Sequence, residues 1–196
     1  MRIWTFQPLD AINQINNTGE YVCDKKKLKS NFSSEEDYNE WIKSYKWLIE
    51  QMRGKIRNSP QDTFPIWGWH TRNFKHKKPD FRESIYGNRG EKYACFELEI
   101  PDSEVLLSDY DAWHWVLNNC YYNHNCISEE QFLKDEEMLK ELDNKKKQKT
   151  VEDSWQGIFD IEPFENNYTA KGKYVQATFW KIKKEYIKNV YIYKAK

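Results

Sequence analysis

Asp109 and Asp111 stand just ahead of Trp113-His114-Trp115, a pairing of carboxylates with broad rings that suits chemistry on a ring-bearing ligand. A carboxylate can orient a nucleophile or stabilise an oxocarbenium ion while stacked rings hold the departing base, so Asp109 is a candidate catalytic residue. Glu97 and Glu99 supply two further carboxylates a short way upstream. Nine tryptophans occur in 196 residues, four of them in Trp67-Gly68-Trp69 and Trp113-His114-Trp115. Their faces hold bases, nicotinamides and sugars by stacking, and they serve equally well as core. Trp41, Trp47 and Trp155 fall on helical stripes and read as core. Trp69, Trp113 and Trp180 each stand near a polar residue (His70, Asp109 and Gln176), which makes them candidates for a ring-lined pocket. The structural alternative for Asp109 and Asp111 is helix capping, because Ser108-x-x-Asp111 has the form of a capping box.

A second constellation runs from Arg72 to Arg82 as Arg-Asn-Phe-Lys-His-Lys-Lys-Pro-Asp-Phe-Arg, interleaving cations with rings. That composition lets a surface track phosphates while stacking bases, and it nominates Arg72, Lys75, Lys77, Lys78 and Arg82 as nucleic-acid contacts. A solvated lysine loop is the plainer reading, and Lys25 to Lys29 and Lys145 to Lys149 repeat the charge without the rings. His114, Cys120, His124 and Cys126 lie close together, but their spacing matches no common zinc finger or knuckle, and no bound metal is expected. No Gly-x-Ser-x-Gly elbow, P-loop or dinucleotide fingerprint can be written from the chain.

Composition sets the outer bounds. The 31 basic residues balance the 31 acidic ones, so no global field points to a polyanion or a membrane, and any such partner must be met locally. The length suits a single globular domain over residues 1–196, with no linker-like stretch dividing it. The N-terminus reads as a strand rather than an apolar leader, and no run spans a bilayer, so a cytoplasmic protein with reduced thiols and no membrane partner is expected.

The elements that must position these residues follow from periodicity. Ile3 to Gln7 reads as a strand and Leu9 to Ile15 as a short helix ending at Gly19. Ser33-x-x-Glu36 opens a helix over 35–53 whose stripe of Trp41, Tyr45, Leu48 and Met52 faces inward. Phe64 to Trp69 is a β segment with Trp67 and Trp69 on one face. Ala94 to Ile100 alternates as a half-buried strand, and Val105 to Leu107 is a further apolar run. Ser108 caps a helix bearing Trp113, Ser128 opens a charged helix to about Lys147, and Thr150-x-x-Asp153 opens a shorter one. Tyr174 to Ile182 and Asn189 to Tyr193 close the chain as strands. Strands at both ends and in the middle, with helices inserted between them, predict an α+β fold with mixed or mainly antiparallel sheets.

Several segments taken together resemble an uncharacterised bacterial family known as a domain of unknown function. They are Ile3-Trp-Thr-Phe-Gln7, Tyr45-x-Trp47 to Met52, Pro65-Ile-Trp-Gly-Trp69, Val105-Leu-Leu-Ser-Asp-Tyr-Asp-Ala-Trp-His-Trp-Val-Leu-Asn118, Ser154-Trp155 to Phe159, and Val175-Gln-Ala-Thr-Phe-Trp180. The order of elements is also similar to the ADP-ribosyltransferase fold. That likeness implies NAD as a substrate cofactor, with Thr5 or Gln7 as the first-strand contact, Tyr45 and Trp69 as the nicotinamide shelf, and Gln176 at the late-strand catalytic position. The family's glutamate is replaced there by Gln176, so either Asp109 or Glu99 supplies the charge or the fold binds a nucleotide without turning it over.

Two functions therefore stand as expectations. One is NAD-dependent ADP-ribosyl transfer to a nucleic-acid or protein target, with Asp109 and Gln176 catalytic and Thr5, Gln7, Tyr45, Trp69 and Trp113 holding the cofactor. The other is a non-catalytic nucleotide or nucleic-acid binding module belonging to a bacterial defence or toxin–antitoxin system.

Overall fold

The structure is a computed structural model that describes residues 1–23, 34–56, 60, 63–82, 87–166 and 170–196. Ser33 and the Lys25–Lys29 run lie outside the described residues. The chain is α+β. Its larger sheet has the strand order β10-β4-β1-β3-β8-β5, built from β1 (Arg2–Pro8), β3 (Ile66–Arg72), β4 (Lys92–Glu99), β5 (Leu106–Asp109), β8 (Tyr174–Phe179) and β10 (Ile187–Lys194). Two small sheets pair β2 (Glu20–Val22) with β9 (Lys181–Lys183), and β6 (Phe164–Glu165) with β7 (Ala170–Lys171). β1 runs antiparallel to β3 and β4, and β4 antiparallel to β10. The contacts gather into two compact units, one of Met1–His70, His76–Leu106 and Ala177–Lys196, the other of Thr71–Lys75 and Leu107–Gln176.

In the first unit, β1 alternates as expected and both of its faces find apolar partners. The register sets Ile3 opposite Leu98 and Thr5 opposite Phe96 on one face, and Trp4 opposite Glu97 and Phe6 opposite Cys95 on the other. β4 is consequently not half-buried. Cys95 is fully buried and Glu97 nearly so, because rings of β1, β3 and β10 cover the face that alternation assigned to solvent. Gly68 places its bare Cα against the opposite face, where a Cβ would come within 2.5 Å of Ile3 Cγ2, so only glycine fits between the paired tryptophans of β3.

Helix α1 (Asp10–Thr18) packs beside β1 and β2, buries Ala11 and Ile15, and ends at Gly19 with φ of 83°. Helix α2 (Glu35–Lys55) buries Ile42, Leu48 and Met52. Its cap is Ser34, whose hydroxyl accepts from Asp37 N at 3.0 Å, one residue later than the Ser33 box predicted. Trp41 and Tyr45 stack at 3.6 Å, one turn apart on the same helix face. The terminal strand also differs from its prediction: pairing breaks at Trp180, so β8 ends at Phe179 and Lys181–Lys183 turns aside to pair with β2 as β9.

In the second unit, helix α3 (Tyr110–Leu117) starts from Asp109, not Ser108: the Asp109 carboxylate accepts from Ala112 N at 2.9 Å. The predicted helix from Ser128 to Lys147 is two helices. α4 (Glu129–Glu141) is capped by Ser128, and α5 (Asn144–Ser154) is capped by Asp143, which accepts from Lys145 N and Lys146 N. Thr150 therefore lies inside α5 and opens nothing, and Trp155–Phe159 follows as a 3-10 turn. The short Asp143 carboxylate satisfies two backbone donors at once, which a continuous helix would have occupied internally.

Candidate ligand pocket

Each unit holds a ring-lined depression. The larger one, about 860 Å³, lies in the second unit among α3, the segment from Asn119 to Cys126, α4, α5 and β7. Its walls are Trp115, Tyr121, Tyr122 and Phe132, with Asp111 and Asp135 among its polar groups. The phase of α3 explains Trp115. Ala112, Trp113 and Val116 face inward, and Trp115, two positions from Trp113, falls on the opposite side, where it is 40% exposed. Phe132 is 42% exposed, and α4 has no fully buried residue at all.

The segment between α3 and α4 is fixed by specific bonds. Trp155 Nε1 donates to Cys120 O at 2.8 Å, and Tyr122 N donates to Ser154 Oγ at 2.9 Å. Asn119 and Gln148 exchange amide bonds, and Asn123 Nδ2 donates to Asp135 at 2.7 Å. Asp109, at the pocket wall, has both carboxylate oxygens engaged, one by Ala112 N and the other by Gly172 N at 2.8 Å. Burial raises its pKa above the ordinary carboxylate range, against the lowering effect of those two N–H donors. Lys171, also lining the pocket, is paired with Asp160, and that bond draws the Asp160 pKa down.

The smaller depression, about 540 Å³, belongs to the first unit and is lined by Arg2, Trp4, His76, Lys77, Lys78 and Tyr191, with Glu97 and Glu99 between them. Glu97 accepts from Tyr191 Oη at 2.9 Å and from Asn189 Nδ2 at 3.0 Å, and pairs with Arg2 at 3.5 Å. Glu99 pairs with Lys188. Lys78 Nζ sits 4.3 Å above the Tyr191 ring. His76 stacks on His70 at 4.1 Å and meets Trp4 edge-on at 5.4 Å. Burial, then the neighbouring His76, lower the His70 pKa to about 4. Burial likewise pushes the Cys95 thiol up to about 12, which leaves it protonated and unreactive at neutral pH.

The sequence-nominated residues distribute as follows. In the first unit, Thr5 is fully buried, donating to Trp67 O at 2.6 Å and accepting from Gln7 Nε2 at 2.8 Å. Tyr45 packs with Trp41, Phe64 and Trp67, and burial raises its phenol pKa; Trp69 packs against the cluster of Trp4, Cys95 and Tyr193. Lys77 and Lys78 are exposed, while the Arg82 guanidinium is taken up by its neighbour Asp80 through two Nε contacts of 2.9 and 3.0 Å. Trp180 is buried. In the second unit, Trp113 is buried and Gln176 Oε1 is buried without a hydrogen-bond partner among the described residues. Arg72 lies 5.9 Å from the Tyr174 ring and Lys75 is exposed beside Phe74. Of the nominated catalytic and cofactor residues, only Asp109 lines either depression. Among the described residues no three His, Cys, Asp or Glu side chains form a metal-holding group. His114 bonds Tyr110 O, and Gly157 leaves room for His124, whose Nδ1 would lie 2.7 Å from an added Cβ.

Sequence reasoning missed Trp115, Tyr121 and Phe132 as site residues. Helical phase alone would have found Trp115, since it lies opposite Trp113. Arg2 and Tyr191 carried no such signal, because they meet Glu97 only through the β1-β4-β10 register.

An α+β chain with two ring-lined depressions, neither built on a nucleotide-binding motif, is the class that fold and geometry define. The chain belongs to the family described as Domain of unknown function (DUF3841), which it matches over residues 2–188. No curated protein and no solved structure matches it. Among the described residues, no helix is long and apolar enough to cross a membrane.

Proposed function

We propose that this protein is a non-catalytic binding module for single-stranded nucleic acid, making contact through the Lys77–Lys78 cleft of the first unit. One observation carries the reading: Lys77 and Lys78 are exposed and have no carboxylate partner among the described residues, while both carboxylates of the same cleft are already paired with Arg2 and Lys188. The cleft therefore offers positive charge without a carboxylate partner beside the exposed His76 ring and the partly exposed Tyr191 ring, over which Lys78 lies, the combination that follows a phosphate backbone and stacks its bases.

The second unit supports the same chemistry by itself. Arg72 and Lys75 exchange backbone bonds around Asn73 and Phe74, whose φ values of 49° and 58° make a turn of the primed type. A phenylalanine held there costs roughly 1 kcal/mol or more. The turn keeps Phe74 39% exposed, with Lys173 Nζ 6.0 Å from its ring.

The test is fluorescence anisotropy of a labelled oligouridylate of roughly 12 nucleotides titrated with the full chain across a potassium chloride series. Binding that weakens with salt is expected, and Lys77→Ala/Lys78→Ala should flatten the logarithmic salt slope by about 1.4, two single-strand phosphate contacts. An unchanged slope would sink the proposal. Nicotinamide release from NAD, abolished in Gln176→Ala, would instead favour the ADP-ribosyl-transfer expectation and its assignment of Asp109 and Gln176.

A further inference from the structure

The second unit's pocket has a polarity opposite to the one nucleic acid requires. Five carboxylates line it, but two are occupied: Asp109 holds Ala112 N and Gly172 N, and Asp135 accepts from Asn123. The side chains of the other three, Asp111, Glu129 and Glu136, make no hydrogen bond or ion pair among the described residues, and all three are exposed. Two lysines line the pocket as well. Lys171 is neutralised by Asp160, which leaves Lys147 as the one lining lysine without an acidic partner among the described residues, against three acids that make no ion pair there; Lys173, outside the lining and bonded to Glu165, acts on Asp111 only through space. The walls between those charges are aromatic, with Trp115 and Phe132 each about two-fifths exposed although both line a cavity of about 860 Å³.

Ring faces and carboxylates attract the same kind of ligand. The negative face of an aromatic quadrupole draws a cation, and a cation desolvated against a ring still benefits from a carboxylate at its edge. Phosphates and carboxylate-bearing molecules would meet three like charges in the same space. A rigid frame is also present: the Trp155–Cys120 and Tyr122–Ser154 bonds hold the wall in place without a ligand, so little ordering is required on binding.

We infer that this pocket binds a small organic cation of the amine class. Asp111, Glu129 and Glu136 meet its positive charge, and Trp115 and Phe132 receive its methylene or ring portion. The site is independent of the nucleic-acid cleft in residues and in charge, and the two readings stand or fall separately.

Isothermal titration of the full chain with spermidine and with benzyltrimethylammonium tests this, using AMP and benzyl alcohol as the anionic and neutral comparators. Both cations should bind saturably with dissociation constants below roughly 1 mM at low salt. Asp111→Asn and Glu136→Gln, isosteric changes at exposed positions, should each weaken spermidine by about threefold, and together by on the order of tenfold. Trp115→Leu should weaken benzyltrimethylammonium more than spermidine, because only the former presents a ring to stack. Circular dichroism of each variant verifies that it is folded. The inference is overturned by an absence of saturable heat up to about 10 mM cation, by AMP or benzyl alcohol binding as tightly as the cations, or by carboxamide variants that bind as the parent does.

Discussion

The first unit's depression is rimmed by Lys77 and Lys78 and the second unit's by Asp111, Glu129 and Glu136, yet both are walled by aromatic rings. What separates them is the fate of the minority charge. In the first, Glu97 and Glu99 are neutralised by Arg2 and Lys188; in the second, Lys171 is neutralised by Asp160. Each pairing removes the charge that would have blunted the local field, so a chain of formal net charge +0 carries two depressions of opposite sign. Net charge describes the whole molecule, and recognition is decided by whichever groups are left without partners.

The two depressions also differ in what holds their walls. The first rests on strand register, with Trp4 set between Glu97 on β4 and Trp69 on β3. The second depends on a buried carboxylate that joins the start of α3 to Gly172. Asp109→Ala should therefore have the largest effect, removing a helix cap and orphaning the Gly172 N–H at a combined cost of about 3 kcal/mol. Urea denaturation followed by tryptophan fluorescence measures it. Spermidine binding should fall in parallel, and oligouridylate binding by the native fraction should be retained; loss of both would mean that the contrast between the two sites is not local.

Reversing charge tests the contrast directly. Lys77→Glu/Lys78→Glu should weaken oligouridylate binding by at least about tenfold at low salt and leave spermidine untouched. If the same variant lost amine affinity, the pairing of each ligand class with its own depression would be wrong.

A smaller effect belongs to His70. Its folded pKa of about 4 lies below the unfolded value near 6.5, so the unfolded chain binds more protons between those limits. Stability is then fully present above about pH 6.5 and declines as pH falls toward 4, by about 1 kcal/mol once solvent screening of a partly exposed ring is allowed for. His70→Gln should flatten that part of a pH–stability curve, and an unchanged curve would assign the slope elsewhere. The smallest effect is expected at Lys134, whose exposed pair with Glu130 lies on α4; Lys134→Ala should leave the urea midpoint and both binding constants unchanged.

Much of the fold was legible because it is written in local periods. β1, α1 with its Gly19 stop, the inward stripe of α2 and the shared face of Trp67 and Trp69 all follow from residue spacing within one element. Capping was legible to within a residue: Ser34 stands where Ser33 was expected, and Asp109 where Ser108 was expected. Neighbouring short polar residues have similar capping chemistry, and only the backbone path selects between them. The double burial of β4 was not legible, because alternation reports one face and the rings that cover the other come from three different strands. Nor was the break between α4 and α5, where Leu139 and Leu142 keep a helical spacing up to Asp143 and a charged stretch follows without a periodic signal.

The sequence by itself determined the composition of this protein's sites: rings in number, lysines in a loop, carboxylates beside Trp113 and Trp115, and an α+β order of elements to carry them. Tertiary structure decided which of those groups are at liberty to bind. It buried Trp113 and left Trp115 exposed, engaged the second oxygen of Asp109 with Gly172 N, set Lys78 over the Tyr191 ring, and left the side chains of Lys77, Lys78, Asp111, Glu129 and Glu136 without a hydrogen-bond or ion-pair partner among the described residues. The physical reason is that a residue's type is local, whereas its burial and its hydrogen-bond partners are set by chain segments distant in sequence.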